Sequence, residues 1–205
     1  INSSGNFNVA IGSEALYSTT TGDNNTGVGM DALRSNTTAS HNTALGMQAL
    51  RANTTGASNV GVGYRALYAN TTAANNTAVG YQALTANTTG QNNTALRSNA
   101  LSSNTTAGRS VAIGSEALAA LQDGAENVAV GQQAMKTETS GQRSVAVGYY
   151  ALATQNSTGA GTNVYNTAVG ALAGQVLTTG LNNTLIGGVT GDALTDADHN
   201  VAIGY

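Results

Sequence analysis

One unit recurs along almost the whole chain. It opens with Asn or Ser at Asn8, Asn25, Asn42, Asn59, Asn76, Asn93, Ser110, Asn127, Ser144, Asn166, Asn183 and Asn200, and every step is 17 residues except the 22 from Ser144 to Asn166. Counting the opening residue as position one, the consensus is Asn-Thr-Ala-Val-Gly-Tyr-Gln-Ala-Leu-x-Ala-Asn-Thr-Thr-Gly-x-Asn. A fixed period of this kind marks an architecture in which each repeat stacks on the next.

Each position has a physical reading. The second and fourth residues are Val, Thr, Ile or Leu (Val9 and Ile11, Thr77 and Val79), and they flank a small third residue. Period-two alternation in a short β-branched run predicts a strand. Position five is Gly in every unit but one, which marks a corner needing positive φ or close backbone approach. Arg97 is the exception. Ala-Leu at positions eight and nine, from Ala15-Leu16 to Ala151-Leu152, predicts a second short strand, and Asn-Thr-Thr-Gly or Asn-Thr-Thr-Ala closes the unit with turn-forming residues. Glycines and Asn-Thr-Thr corners at this spacing leave no room for a stable helix. The expected fold is all-β: a parallel β-solenoid, or β-roll, of about twelve 17-residue coils, roughly 55 Å long at ~4.8 Å per coil.

Stacking in register sets like residues above one another. Asn8, Asn25, Asn42, Asn59, Asn76, Asn93, Asn127, Asn166, Asn183 and Asn200 become a structural ladder whose amides hydrogen-bond from coil to coil. Positions 13 and 14 become Thr columns. With Val, Ile or Leu at position four and Leu at position nine taken as the thin core, the third-position residues face away from it. That column holds only Ala and Gly until Leu185. Such a restriction predicts close packing against a neighbouring copy through Ala10, Ala44, Ala78, Ala112 and Ala146, and hence a homo-oligomer. The alternative is that Ala lines a second, tighter core layer.

The whole chain reads as a single repeat domain, 1–205, with regular coils over 8–109 and less regular ones over 110–205, and with an insertion near 159–165. It opens on a corner (Ile1 to Gly5) and stops at Tyr205, six residues into a unit, with no capping element at either end. The expectation is a segment of a longer fibre.

Composition narrows the function. With a net charge of -3 and seven Lys and Arg in all, no basic stripe for nucleic acid can form. No apolar run approaches the ~20 residues of a membrane-spanning helix, so no membrane insertion is expected in this segment. Without cysteine there is neither a disulfide nor a thiolate metal site. An active site needs convergent polar groups of more than one type, and the candidates are scattered. His41 and His199 fall at position 17, Glu14, Asp31 and Glu116 at position seven, and Gly27-Val28-Gly29 is a repeat unit rather than a phosphate loop. Asp192, Asp196 and Asp198 match no standard calcium loop. The Asn-Thr-Thr units at Asn36, Asn53, Asn70, Asn87 and Asn104 read either as glycan acceptors or as corner chemistry. No catalytic residue, cofactor or metal ligand is expected.

The recurring Asn-x-Ala-[Val/Ile]-Gly, as in Asn8-Val9-Ala10-Ile11-Gly12, resembles the head repeat of trimeric autotransporter adhesins. The longer unit, Asn76 to Leu84 and on through Asn87-Thr88-Thr89-Gly90, resembles repeats of phage tail fibres and large bacterial surface proteins. The resemblance implies a left-handed β-roll wound as a trimer. It also implies an extracellular, cell-surface or virion location, and attachment to a cell-surface glycan or receptor. The expected function is therefore the repeat shaft of an extracellular fibre or adhesin, not an enzyme. The alternative is an ice-binding solenoid using Thr and Asn ladders.

Overall fold

The computed structural model describes residues 4–157, 159 and 161–205. Ala160, within the insertion expected near 159–165, and Thr158, just before it, lie outside them, as do Ile1, Asn2 and Ser3 of the expected opening corner. Twelve strands of three residues each, β1 (Val9–Ile11) through β12 (Val201–Ile203), occupy positions two to four of successive coils. They form one parallel sheet in strict sequence order, with Val9 opposite Thr26, Ala10 opposite Gly27 and Ile11 opposite Val28. The same register holds to the last pair, Leu185 opposite Ala202. Among the described residues there is no helix. The chain is a β-solenoid.

The second strand expected at positions eight and nine does not form. That segment is a run of tight turns: Ala15 N–H bonds Gly12 C=O (3.3 Å), Tyr17 bonds Glu14 (3.3 Å) and Thr19 bonds Leu16 (3.2 Å). The third residue of the first two turns is left-handed, with Glu14 at φ 57° and Leu16 at φ 53°. A positive φ there is the mark of a type II turn. Intervening amides still reach the neighbouring coils, Leu16 N–H to Ala32 C=O and Ser18 N–H to Arg34 C=O, both at 3.0 Å. The segment therefore keeps a strand's stacking bonds while curling the chain back on itself. A coil of 17 residues with only one strand has to close its circle this way.

The cost is local strain. Positions seven, nine and 17 are left-handed in coil after coil, as at Gln48, Leu50 and Ser58 (φ 61°, 51° and 59°). For an L-residue with a Cβ this costs about 1–2 kcal/mol per position. The position-five corner is more demanding still. Gly80 has φ 137°, and a Cβ there would stand 2.6 Å from the backbone carbon of Arg97 in the next coil. Arg97 itself holds φ 98° at the same corner.

The polarity of the strands is opposite to that expected. Position three points inward: Ala44, Ala78, Ala95, Ala112, Ala129, Ala146 and Ala168 have no exposed surface. Positions two and four point out, as Ile11, Leu45, Val79 and Ile113 show. The reason is width. Leu at position nine of one coil fills the interior from the far side and lies directly beneath position three of the next. A Cβ built on Gly27 meets Leu16 Cγ at 3.3 Å. Only Ala or Gly fits above each Leu, so Ala forms the tight inner layer that was the alternative reading of that column. Ala44, Ala78, Ala112 and Ala146 are consequently unavailable to another chain, while Ala10, in the first coil, is the exposed member of the same inward column.

Leu185 follows from the same geometry. Coils starting at Asn166 and Asn183 carry Gly174 and Gly191 at position nine, both left-handed like the leucines they replace (φ 59° and 77°). A Cβ on Gly174 would fall 2.7 Å from Leu185 Cδ1, and one on Gly191 2.9 Å from it. The leucine has moved from position nine to position three and fills the core from the strand side. Leu185→Ala should open a cavity that the two glycines cannot fill, costing about 2–5 kcal/mol in urea unfolding. Arg97→Gly should do the reverse. By relieving a φ that only glycine adopts freely, it should raise stability by roughly 1 kcal/mol and lift the thermal midpoint.

Candidate functional site

The position-one ladder lies inside the rod. Its side chains from Asn25 to Asn183 are buried, while Asn8 and Asn200 in the end coils are half-buried. Each Oδ1 accepts the position-one backbone N–H of the next coil. Asn25 bonds Asn8 at 2.9 Å, Asn59 bonds Asn42 at 2.9 Å, Asn76 bonds Asn59 at 3.0 Å and Asn200 bonds Asn183 at 2.9 Å. From Asn8 to Asn183 each Nδ2 donates across its own coil to the position-15 carbonyl, Asn25 to Ala39 at 2.9 Å and Asn59 to Ala73 at 2.8 Å. One amide thus ties two coils together and closes one of them. Asn127 keeps both contacts, to Ser144 N–H (3.0 Å) and Gly141 C=O (2.7 Å). Where Ser110 replaces Asn, its Oγ still accepts Asn127 N–H at 3.3 Å.

A second ladder runs beside the first at position 12. Asn36, Asn53, Asn70, Asn87 and Asn104 are fully buried, and Nδ2 of each of the last four donates to Oδ1 of the one before at 2.7–3.1 Å. The same Nδ2 groups reach the position-15 carbonyls already used by the first ladder, Asn36 to Ala39 (3.1 Å) and Asn70 to Ala73 (3.0 Å). Each of these carbonyls therefore accepts two amides. Buried and doubly bonded, the five residues cannot carry a glycan in the folded chain; this corner chemistry faces inward. The two buried side-chain atoms without a partner among the described residues are Thr19 Oγ1 and Asn104 Oδ1. They sit at the two ends of this column, where Thr19 is too short to continue it and Leu121 has nothing to donate.

Beyond Leu121 the column carries a different network. The Glu138 carboxylate is buried and accepts five hydrogen bonds. Gly141 N–H (2.7 Å), Ser140 N–H (3.1 Å) and Ser157 Oγ (3.0 Å) bind one oxygen, and Gln155 Nε2 (3.0 Å) and Ser157 N–H (3.3 Å) bind the other. Gln155 Oε1 accepts from Asn166 Nδ2 at 3.0 Å and so returns the network to the first ladder. These bonds hold Ser157, the residue from which the chain departs into its five extra residues. Every contact is internal, and the carboxylate's lone pairs are occupied by N–H and O–H donors.

The charged side chains form edges outside the core. Lys136 reaches Glu116 at 2.7 Å and Arg51 reaches Asp31 at 3.4 Å, while Arg34 pairs with Glu14. At position 17, Arg143 and Arg109 both bond Glu126 at 2.8 Å. Hydrogen bonding by Lys136 holds the Glu116 carboxyl below its usual range, and hydrogen bonding by Arg143 and then Arg109 does the same for Glu126. Arginines also lie over tyrosines, with Arg65 5.2 Å from the Tyr64 ring and 5.1 Å from Tyr68. His41 and His199 are exposed at their corners. Asp192, Asp196 and Asp198 are exposed, and Asp198 accepts Leu181 N–H at 2.6 Å. No group of three His, Asp or Glu among the described residues is placed to hold a metal ion. The Thr columns differ from each other. Position-14 Thr is exposed, whereas position-13 Thr is half-buried and donates to the next coil's carbonyl, as Thr54 Oγ1 does to Thr71 at 3.0 Å.

The ladder can be tested by substitution. Asn59→Ala leaves Asn76 N–H without its acceptor inside the rod and should cost about 1–3 kcal/mol. Asn59→Ser, which keeps an acceptor as Ser110 does, should cost clearly less; chemical denaturation of both variants decides this. No family model, curated protein or solved structure matches the chain.

Proposed function

We propose that the chain is the repeat shaft of an extracellular fibre or adhesin, of the kind borne on a bacterial surface or a phage tail, and that it works by structure rather than catalysis. One observation carries the reading. Twelve strands stack in unbroken register, tied by backbone bonds and a buried amide ladder. The result is a stiff rod, some 50 Å long at ~4.8 Å per coil, that repeats the same outward groups at every step. Such a surface suits attachment by many weak contacts, because linked sites raise each other's effective concentration. The partner on this reading is a cell-surface glycan or receptor met repeatedly along the rod.

The resemblance of Asn-x-Ala-[Val/Ile]-Gly to adhesin heads and of the longer unit to tail-fibre repeats supports the same reading. Electron microscopy of the full-length protein on its source particle tests it. The expected image is a thin, straight appendage projecting from a cell or virion, with an antibody against this segment decorating its length. Labelling confined to the cytoplasm would overturn the proposal.

A further inference from the structure

We propose that the Arg97 corner is a binding site for a carboxylated sugar, one unit of an acidic oligosaccharide lying along the rod. This rests on the reading of the rod as an attachment shaft. Position five is glycine in the other eleven coils, and Arg97 holds φ 98° there although its Cβ makes that backbone costly. Strain of this kind persists where a side chain serves a purpose beyond the fold. The guanidinium is also free. The other six Lys and Arg are engaged: Arg34, Arg51, Arg109, Arg143 and Lys136 in ion pairs, and Arg65 with Gln48 Oε1 at 2.8 Å and over two tyrosine rings. Among the described residues Arg97 is the one Lys or Arg without a partner, and it is exposed.

Arg97 borders an open notch of about 280 Å³ that Gly114, Ser115 and Gln132 of the next two coils complete. Among the described residues the Ser115 hydroxyl and the Gln132 amide make no hydrogen bond within the chain. The notch is too small for a whole ligand of drug size and suits one ring of a longer one. A guanidinium fork takes a carboxylate through two parallel bonds. Ser115 and Gln132 offer both donors and acceptors to the hydroxyls of a sugar. Gly114 has no side chain to hold a ring off. Along position six the notch is bounded by Tyr81, one coil before Arg97, and Tyr149, one coil after Gln132, each 51% exposed. Between these tyrosines the column is Ser98, Ser115 and Gln132, four coil steps or ~19 Å from end to end. An oligosaccharide laid along it sets apolar ring faces against tyrosine and its charged unit at Arg97. One free cation in a chain of net charge -3 favours a singly charged sugar, because a polysulfated chain or a nucleic acid needs a row of cations.

Titration of the isotope-labelled chain with trigalacturonate and with trimeric sialic acid, followed by NMR, is the test. At least one of them should shift the Arg97 Nε–H and Gln132 side-chain amide signals, and neutral maltotriose should shift neither. Arg97→Gly restores the consensus corner and should fold at least as well as the wild type. It should nevertheless weaken binding roughly tenfold or more, the loss of one charge-assisted pair. Gln132→Ala should weaken it about threefold. The control Arg109→Gly, which removes an exposed arginine elsewhere on the rod, should leave the affinity unchanged. The proposal is overturned if neither acidic trimer binds more tightly than maltotriose, or if Arg97→Gly binds them as well as the wild type does. It is also overturned if acetate or sulfated maltotriose moves the same signals at equal or lower concentration, because that marks a general anion contact. Each outcome is read on the purified chain and is independent of where microscopy finds the fibre, so the two readings fail separately.

Discussion

Every feature of this chain depends on the width of a 17-residue coil. With one three-residue strand and a string of tight turns, the circuit encloses room for one leucine and a few small groups. Leu at position nine takes that room and leaves only Ala or Gly tolerable above it. The amides at positions one and 12 line the rest. An unbonded amide in so narrow a space would be costly, so the Asn residues must stack on each other and on the position-15 carbonyl. Register follows from this. A coil shifted by one residue would break two ladders and drive a valine into a space sized for alanine.

The repeat, the parallel stack and the coil-to-coil amide ladder were legible because each rests on periodicity and on residue chemistry that survives any choice of orientation. Which face of the strand is inside was not. Alternation at Val9-Ala10-Ile11 gives two faces, and the usual preference puts the larger apolar one within. The deciding information lay six residues on, in Leu16, whose packing against Gly27 excludes a larger group there. The left-handed leucines were illegible for a related reason. Leu at φ near 50° goes against its own preference, and only the stacking bonds on either side of Leu50, to Ala66 and from Leu33, fix its backbone there. The four-residue unit Asn36 to Ala39 read correctly as a corner, but nothing local said that its Asn turns inward while Thr38 turns out.

Departures from the consensus are compensated within columns rather than across the molecule. When position nine becomes Gly174 and Gly191, Leu185 appears at position three, where the interior has opened. When position 12 loses its amide at Leu121, the next members are Glu138 and Gln155, which rebuild a bonded network from different donors and hold Ser157 at the base of the extra residues. The ends of the Asn column, Thr19 and Asn104, show what happens without compensation: each leaves a polar atom unpaired. A repeat protein tolerates such errors one coil at a time because each unit answers mainly to its two neighbours.

The same narrowness bears on the outward face. A core filled by alanine, one leucine and paired amides buries little apolar surface per residue, and hydrophobic stabilisation scales with the area removed from water. The chain nevertheless places Val, Ile or Leu at three outward strand positions in four. β-propensity accounts for branched residues in a strand, but Thr would satisfy it equally and does so at only six of the 24 sites. Position four, nearest the glycine corner, has no Thr at all. Within a single chain these outward side chains stay partly in water and add little to that term, which leaves the hydrogen-bonded stack to carry the coil.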